Sequence, residues 1–197
     1  MANAAYLDGR RKYGAPQAML WSDNPGTLID GFYYPEGLES GQEVDPETYS
    51  FVICSDHNRS ELAFSSERIQ NRQRMINGNM RAYNIADKLI LSTSWQMLPS
   101  KSFKFHPNFD SNGQDSIPDM QDHYTVDGGA GGLQLLDWYQ ANQGPFWVFL
   151  AYDKYGNMAK YNQIIQMYFK DFSYSVVKRG RDGRHDLWNI NVTLEEV

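Results

Sequence analysis

The one cysteine of this 197-residue chain, Cys54, stands three residues before His57. A thiol and an imidazole so placed could support nucleophilic catalysis if an orienting acid joined them. Cys54 closes an apolar run, however, and a thiol there is expected as a small buried hydrophobe beside a loop histidine. No G-x-S-x-G elbow occurs. Ser94 falls between Thr93 and Trp95 inside a strand pattern, the wrong setting for an exposed nucleophile. The histidines His57, His106, His123 and His185 are far apart in the chain. Asp110, Asp115, Asp119, Asp122, His123 and Asp127 gather in one stretch, but without the D-x-D-x-D-G spacing and late Glu of a calcium loop. A solvated polar loop is expected there, and no metal is assigned. The run Gly128–Gly132 precedes a helix, as a phosphate cradle would. It lacks both G-K-[ST] and the dinucleotide spacing, and reads as a flexible lead-in. Glycoside hydrolysis needs two carboxylates facing across a cleft, and no spacing in the chain pairs two of them. The many Trp and Tyr side chains could line a sugar groove, but they suit a β core or a subunit interface better. The chain is read as non-enzymatic, with no cofactor.

Two basic groups remain. Arg68, Arg72 and Arg74 share one face of a strand, with Arg81 on the return strand across Asn77-Gly78. Lys178, Arg179, Arg181 and Arg184 surround the last turn. Such cations can be solvated tips that discourage edge pairing. They can equally reach an acidic surface on a neighbouring copy. Residues 13–50 supply one: Asp23, Asp30, Glu36, Glu39, Glu43, Asp45 and Glu47, with no Lys or Arg. The candidate subunit-contact residues are therefore Arg72, Arg74, Asn77, Gly78, Arg81, Arg179, Arg181 and Arg184.

The chain carries 18 Lys+Arg against 24 Asp+Glu, a net charge of −6, which argues against a general nucleic-acid binder. One cysteine excludes an intrachain disulfide framework and a four-Cys zinc site. No apolar run has the length of a signal peptide or a membrane helix, so a soluble protein made in a reducing compartment is expected. The length suits one domain, or one domain with an arm.

The elements that position these residues read as strands. Residues 1–50 are dense in turn signals (Asn24-Pro25-Gly26, Asp30-Gly31, Pro35-Glu36-Gly37, Asp45-Pro46) and read as an extended acidic arm with short strands such as 17–21. Order only on assembly is expected over 22–50. Short strands are expected at 49–54 and 61–64. Residues 69–76 and 79–85 flank Asn77-Gly78, whose two positions with φ > 0 predict a tight hairpin. Residues 88–98 alternate strictly, with Leu89, Leu91, Thr93, Trp95 and Met97 on one face. A long Asp/Gly/Pro/Asn-rich connection covers 106–132. One helix is predicted at 132–142, with Leu133, Leu136 and Tyr139 on its apolar face, widened by Leu135 and Trp138, and stopped by Gln143-Gly144-Pro145. Residues 146–152 form a central strand. Residues 161–177 form a long one whose phase slips near 170–172, predicting a bulge. Residues 186–196 alternate Trp188, Ile190, Val192 and Leu194 inward and close a long hairpin. The expected fold is mainly β: an antiparallel β-sandwich or barrel over 51–197, with one flanking α-helix, long hairpins and a loop-rich N-terminal arm.

The block Phe172–Val197 (FSYSVVKRGRDGRHDLWNINVTLEEV) resembles the closing hairpin of tail proteins of tailed bacteriophages, where a polar turn leads into a W-x-[VI]-x-[VL]-x-L-E-E-[VI] strand. Trp188, Ile190, Val192, Leu194, Glu195, Glu196 and Val197 match it. The segment Arg74–Leu98 looks similar to minor tail proteins, as does the order of one helix followed by an aromatic strand at 144–152; together these span about 70–197. The resemblance implies a non-enzymatic component of the tail or its distal end, in the tube or baseplate region. It implies a homo-oligomeric ring, a hexamer or a trimer, around a channel that passes DNA without sequence-specific binding. Neighbouring tail proteins would be partners, with no membrane partner. The protein would be made in the host cytoplasm and reside in the virion tail. Where the arm and hairpins reach adjacent subunits, a negative channel lining would repel phosphate. The alternative is a carbohydrate-binding or glycan-hydrolysing β-sandwich domain.

Overall fold

The computed structural model describes residues 19–29, 32–34, 51–102, 124–125, 129–150, 163–179 and 186–197. Seven strands form one antiparallel sheet: β1 (Met19–Ser22), β4 (Phe51–Ile53), β5 (Ala63–Arg74), β6 (Met80–Pro99), β9 (Phe146–Leu150), β10 (Gln163–Lys178) and β11 (Leu187–Glu196). Their order is β4-β1-β9-β10-β11-β6-β5. Two small pairs accompany it: β2 (Thr27–Ile29) with β3 (Phe32–Tyr34), and β7 (Lys101–Ser102) parallel to β8 (Tyr124–Thr125). Among the described residues there is one helix, α1 (Gly132–Ala141). The expected mainly-β class, with a flanking helix and long hairpins, is the observed one. The sheet does not close into a barrel. Among the described residues its edge strands β4 and β5 do not pair with each other, and residues 54–62 link them by crossing beside β6, where Arg59 bridges Trp95 and Ser60 N donates to Ser94 O.

The core lies on one face of this sheet. Period-2 alternation turns Trp188, Ile190, Val192 and Leu194 of β11, and Leu91, Thr93 and Trp95 of β6, to the same side, where all are buried. Trp21 and Trp95 lie on strands four positions apart, about 19 Å in a flat sheet. Their rings nevertheless meet edge to face at 6.5 Å, so the sheet coils around the core. Phe146 and Phe169 complete the aromatic cluster on Trp21, at 5.9 and 5.4 Å. The Trp95 indole donates to Ser55 O at 2.7 Å, which satisfies its buried N–H.

The two halves of the sheet differ. In β4-β1-β9 both faces are buried: Met19, Trp21 and Val148 toward the core, and Leu20, Ile53 and Phe149 on the reverse side. In β10-β11-β6-β5 the reverse side is polar and open, carrying Ser65, Ser92, Ser94, Ser173, Asn191 and Thr193. Ser92 bonds Thr193 at 3.4 Å there, and Asn191 bonds Ser173 at 3.3 Å. Lys170 Nζ lies 3.0 Å from both Glu67 and Glu195 across this surface. Those hydrogen bonds, Glu195 first and then Glu67, hold the lysine above its usual pKa.

Several expectations are met and several are corrected. The bulge predicted near 170–172 is present between Phe169 and Asp171. Strand β9 is internal, between β1 and β10. The segments expected separately at 61–64 and 69–76 are one continuous strand, as are 79–85 and 88–98. The alternation of β6 breaks at Met97, whose φ of +54 turns it outward and lets Leu98 fill the core instead. Sheet structure starts before residue 51. Strand β1, within the segment read as an arm, is seated between β4 and β9 with Met19, Leu20 and Trp21 fully buried. Of residues 22–50, for which order only on assembly is expected, 22–29 and 32–34 are described and include the β2–β3 pair, while 30–31 and 35–50 lie outside the described residues.

Helix α1 buries Gly132 and Leu135 and half-buries Leu133, Leu136 and Trp138, while Tyr139 stacks on Phe172 at 4.4 Å and meets Phe169 edge to face at 5.1 Å. The expected face is seated, with Leu135, expected only to widen it, as its most deeply buried large side chain. The glycines before it are not a flexible lead-in. Gly131 packs against the Pro99–Lys101 backbone, and Gly132 packs against the Trp188 ring. The helix N-terminus is closed by protein groups: Leu133 N donates to Ser100 O at 3.0 Å, and Gly131 N to Gln134 Oε1 at 2.8 Å.

Candidate assembly surface: the β5–β6 ribbon

Strand β6 outruns the sheet. Its last partner residues on β11 are at Ile90↔Glu195, and the C-terminal Glu196 and Val197 contact Leu89 N and Lys88 Nζ. Beyond that point residues 80–87 pair only with 68–74 of β5. At about 3.4 Å per residue this two-stranded ribbon stands out roughly 25 Å. A free hairpin of this kind is marginal in water and needs something to pack on.

The tip explains how the ribbon reverses. Gly78 N donates to Met75 O at 2.9 Å, Met75 N to Asn79 O at 2.8 Å, and Asn79 N to the Asn77 side chain at 3.1 Å. Gly78 has φ +81, and Asn77 is not left-handed. The Asn-Gly signal did locate the hairpin, but the turn is a three-residue loop with glycine at the single left-handed position. It is not the two-residue type with both central residues at φ > 0.

Cross-strand register assigns the side chains to faces. Arg68↔Asp87, Arg72↔Ala82 and Arg74↔Met80 share one face; Ile69↔Ala86, Asn71↔Tyr83 and Gln73↔Arg81 share the other. Arg68, Arg72 and Arg74 therefore lie together, as expected, and Arg81 lies on the reverse side. Arg68 is already engaged: its Nε and Nη2 donate to the two Asp87 carboxylate oxygens at 2.8 and 3.2 Å. This hydrogen-bonded pair raises the arginine pKa and lowers that of Asp87. Among the described residues no ion pair engages Arg72, Arg74 or Arg81.

The apolar side chains of the ribbon were not anticipated. Ile69, Met75, Ile76, Met80, Tyr83 and Ile85 are six of the thirteen large hydrophobic residues exposed among those described. Ile85 sits unpaired at the bulge opposite Ile69/Gln70 and is 70 % exposed, and Ile76 at the tip is fully exposed. The hairpin signal at Asn77-Gly78 placed 69–76 in a strand but carried no information on its burial. Only the lack of a third strand shows both faces to be open.

Arg179 is exposed just past β10, whose last pair is Lys178↔Leu187. Leu187 pairs with Pro99, so this second basic group is at the opposite end of β6 from the ribbon, about 60 Å of strand away. Arg181 and Arg184 lie outside the described residues.

The remaining candidates resolve as structural features or fall outside. Cys54 is buried in the core cluster and its N–H donates to Met19 O at 3.0 Å. Ser94 Oγ contacts Ser60 Oγ at 3.1 Å in mid-strand. The stretch holding Asp110, Asp115, Asp119, Asp122, His123 and Asp127 lies outside the described residues. Among the described residues no three His, Cys, Asp or Glu side chains gather into a metal-holding group. A groove that sequence reasoning missed lies at the end of α1, and the described residues that line it, Tyr139, Gln140, Asn142, Gln143, Pro145 and Tyr168 among them, carry no charge. Its two tyrosines are 29 positions apart, and only the fold brings them together. No protein-family model matches the chain, and no curated protein matches it.

Proposed function

We propose that this protein is a non-enzymatic, self-assembling structural component of a bacteriophage tail or its distal end, forming a ring around the DNA channel. The observation that carries the reading is the β5–β6 ribbon, which exposes six large apolar side chains and three arginines that have no ion-pair partner among the described residues, on a two-stranded projection. Exposed apolar surface of this concentration marks a protein contact. Strand β5 is also an edge of the sheet among the described residues, and an edge strand offers backbone donors and acceptors that a neighbouring copy can use. The open polar face of β10-β11-β6-β5, rich in Ser, Thr and Asn, suits the channel side, because Lys170, the cation at its centre, is held by Glu67 and Glu195 and is not free to bind phosphate. Tail residence and neighbouring tail proteins as partners follow from the resemblance at 172–197.

Light scattering over a concentration series, followed by negative-stain imaging, tests the proposal. Rings, tubes or a concentration-dependent hexamer or trimer are expected. Replacing residues 70–84 by a short turn should leave a folded monomer. A full-length chain that is monomeric at every concentration, with no tail protein able to nucleate it, counts against the reading.

The groove at the end of α1 favours a second reading, a glycan-binding domain. Two half-exposed tyrosines beside Gln140, Asn142 and Gln143 offer ring surface and amide hydrogen bonds, with no charged side chain among the described lining, the chemistry that neutral sugars need. Binding on a glycan array that Tyr168→Ala abolishes would bring this reading forward.

A further inference from the structure

We infer that the tip of the β5–β6 ribbon is a peripheral membrane anchor: Met75, Ile76 and Met80 enter the surface of an anionic lipid bilayer, and Arg72, Arg74 and Arg81 hold its phosphates. The inference goes beyond the assembly reading, which needs no membrane and can use the edge of β5 and the lower apolar side chains Ile69, Tyr83 and Ile85. The ribbon is electrically set apart from a chain whose net charge is −6. Residues 69–86 contain those three arginines and no Asp, Glu or Lys. None of the three has an ion-pair partner among the described residues. The projection is therefore positive, and its complement is an anionic surface. Arg68, at the base, is not part of the contact, because Asp87 already neutralises it.

The order of side chains along the ribbon selects a bilayer among anionic surfaces. Ile76 stands fully exposed at the apex, flanked by Met75 and Met80, also exposed. Arg74, paired with Met80, and Arg81, paired with Gln73, lie roughly 7–10 Å behind the apex, with Arg72 and Tyr83 next. Apolar groups ahead of cations and a tyrosine reproduce the depth order of a membrane interface, where acyl chains lie inside the phosphates and aromatic rings sit at headgroup level. The distance also matches the roughly 5–10 Å to which interfacial elements sink. Arg74, Arg81, Gln73 and Tyr83 line a cleft of about 580 Å³ at the tip, beside Met75 and Ile76. A lipid phosphodiester there can accept hydrogen bonds from two guanidinium groups. The turn is prepared for a less polar medium, since the Met75, Gly78 and Asn79 N–H groups are all bonded within it. A nucleic acid would satisfy the arginines but offers nothing to an aliphatic apex.

Vesicle flotation of the full chain tests this. Binding is expected to phosphatidylcholine–phosphatidylglycerol vesicles at a ratio of about 7:3, with little to phosphatidylcholine alone, and should weaken as salt rises. R72Q/R74Q/R81Q should lower the partition coefficient on the order of a hundredfold, from about fivefold per arginine. M75S/I76S/M80S should lower it by about tenfold or more. R68Q/D87N, at the base, should leave it unchanged. Circular dichroism of each variant controls for folding. Insertion is read separately with an environment-sensitive nitrobenzoxadiazole label on Ile76→Cys, which the fully buried Cys54 does not compete for. Its emission should brighten and shift to the blue when the mixed vesicles are added. No binding by the parent chain, or binding that survives both triple substitutions, would overturn the inference. So would duplex DNA or dissolved inorganic phosphate binding with the same arginine dependence while vesicles leave the label unchanged. Light scattering on the same samples separates the two readings. Self-association lost in M75S/I76S/M80S, with a parent that ignores vesicles, makes the tip a contact between copies and overturns the anchor alone. A parent that binds vesicles but stays monomeric supports the anchor and counts against assembly.

Discussion

Gly131→Ala separates two accounts of the glycine run, because they predict opposite signs. Gly131 has φ −86 and ψ −179, a backbone conformation open to any residue. Were the run a flexible lead-in, alanine would reduce unfolded-state entropy and stabilise the protein by about 0.4–1 kcal/mol. The structure leaves no room for it. A methyl group at Gly131 would lie 2.5 Å from Lys101 N, 2.5 Å from Ser100 C and 2.6 Å from Pro99 O, all of them backbone atoms that no rotamer change can move. Relief requires the Pro99–Lys101 backbone to shift by close to 1 Å. That shift strains the bonds Leu133 N to Ser100 O and Ser100 N to Asp186 O, both 3.0 Å. Overpacking costs about 1–3 kcal/mol, and two weakened hydrogen bonds add about 1 kcal/mol each. The expected loss is about 3–5 kcal/mol. Urea unfolding followed by tryptophan fluorescence reads it as a fall in midpoint at unchanged slope. Gly144→Ala, with nothing within 4 Å of the added group, serves as the neutral control. A Gly131→Ala protein as stable as the parent, or more stable, would refute the close-packing account.

Gly78→Ala meets no neighbour but must adopt φ +81, so a loss of about 1 kcal/mol confined to the ribbon is expected, read as faster amide exchange at 75–80 with the core unchanged. Leu135→Ala removes the fully buried side chain that seats α1 and should cost about 2–5 kcal/mol in chemical denaturation. Asp87, held below the usual carboxylate range by Arg68, stabilises the ribbon above the ordinary carboxylate pKa of about 3.9; this contribution is lost as pH falls through its lowered folded value. NMR titration should place the Asp87 midpoint below that of a free aspartate, and Arg68→Gln should raise it. Lys170→Met removes a half-exposed cation from two carboxylates and should leave the thermal midpoint close to that of the parent, because solvent screens the group.

The ribbon was partly legible before the fold was known. Asn77-Gly78 marked its turn, and Arg72, Arg74 and Arg81 were visible as cations near it. What alternation could not supply was the number of neighbouring strands. A period-2 pattern such as Ile69, Asn71, Gln73 reads alike in a half-buried strand and in a ribbon open on both sides. Pairing also separated the arginines. Asp87, 19 positions along, neutralises Arg68, and the register places Arg81 behind the others. The two basic groups, both judged to be hairpin tips, are at opposite ends of β6 only because β11 and β6 pair antiparallel over Leu187↔Pro99 to Glu195↔Ile90.

Local stereochemistry determined the elements. The alternation of β6 and β11, the phase slip at Lys170 and the Gly144-Pro145 stop after α1 depend on residues within a few positions of one another, so the sequence alone carried them. Tertiary structure decided where the strands go and which small residues are indispensable. Strand β1 lies between β4 and β9 because Met19, Leu20 and Trp21 find apolar partners on both faces there, from residues about 30 and 130 positions away. Gly131 and Gly132 are required by the Pro99–Lys101 backbone and the Trp188 ring, which approach them only once the sheet has coiled around Trp21 and Trp95. Close approach is a property of two distant segments at once, and no local pattern encodes it.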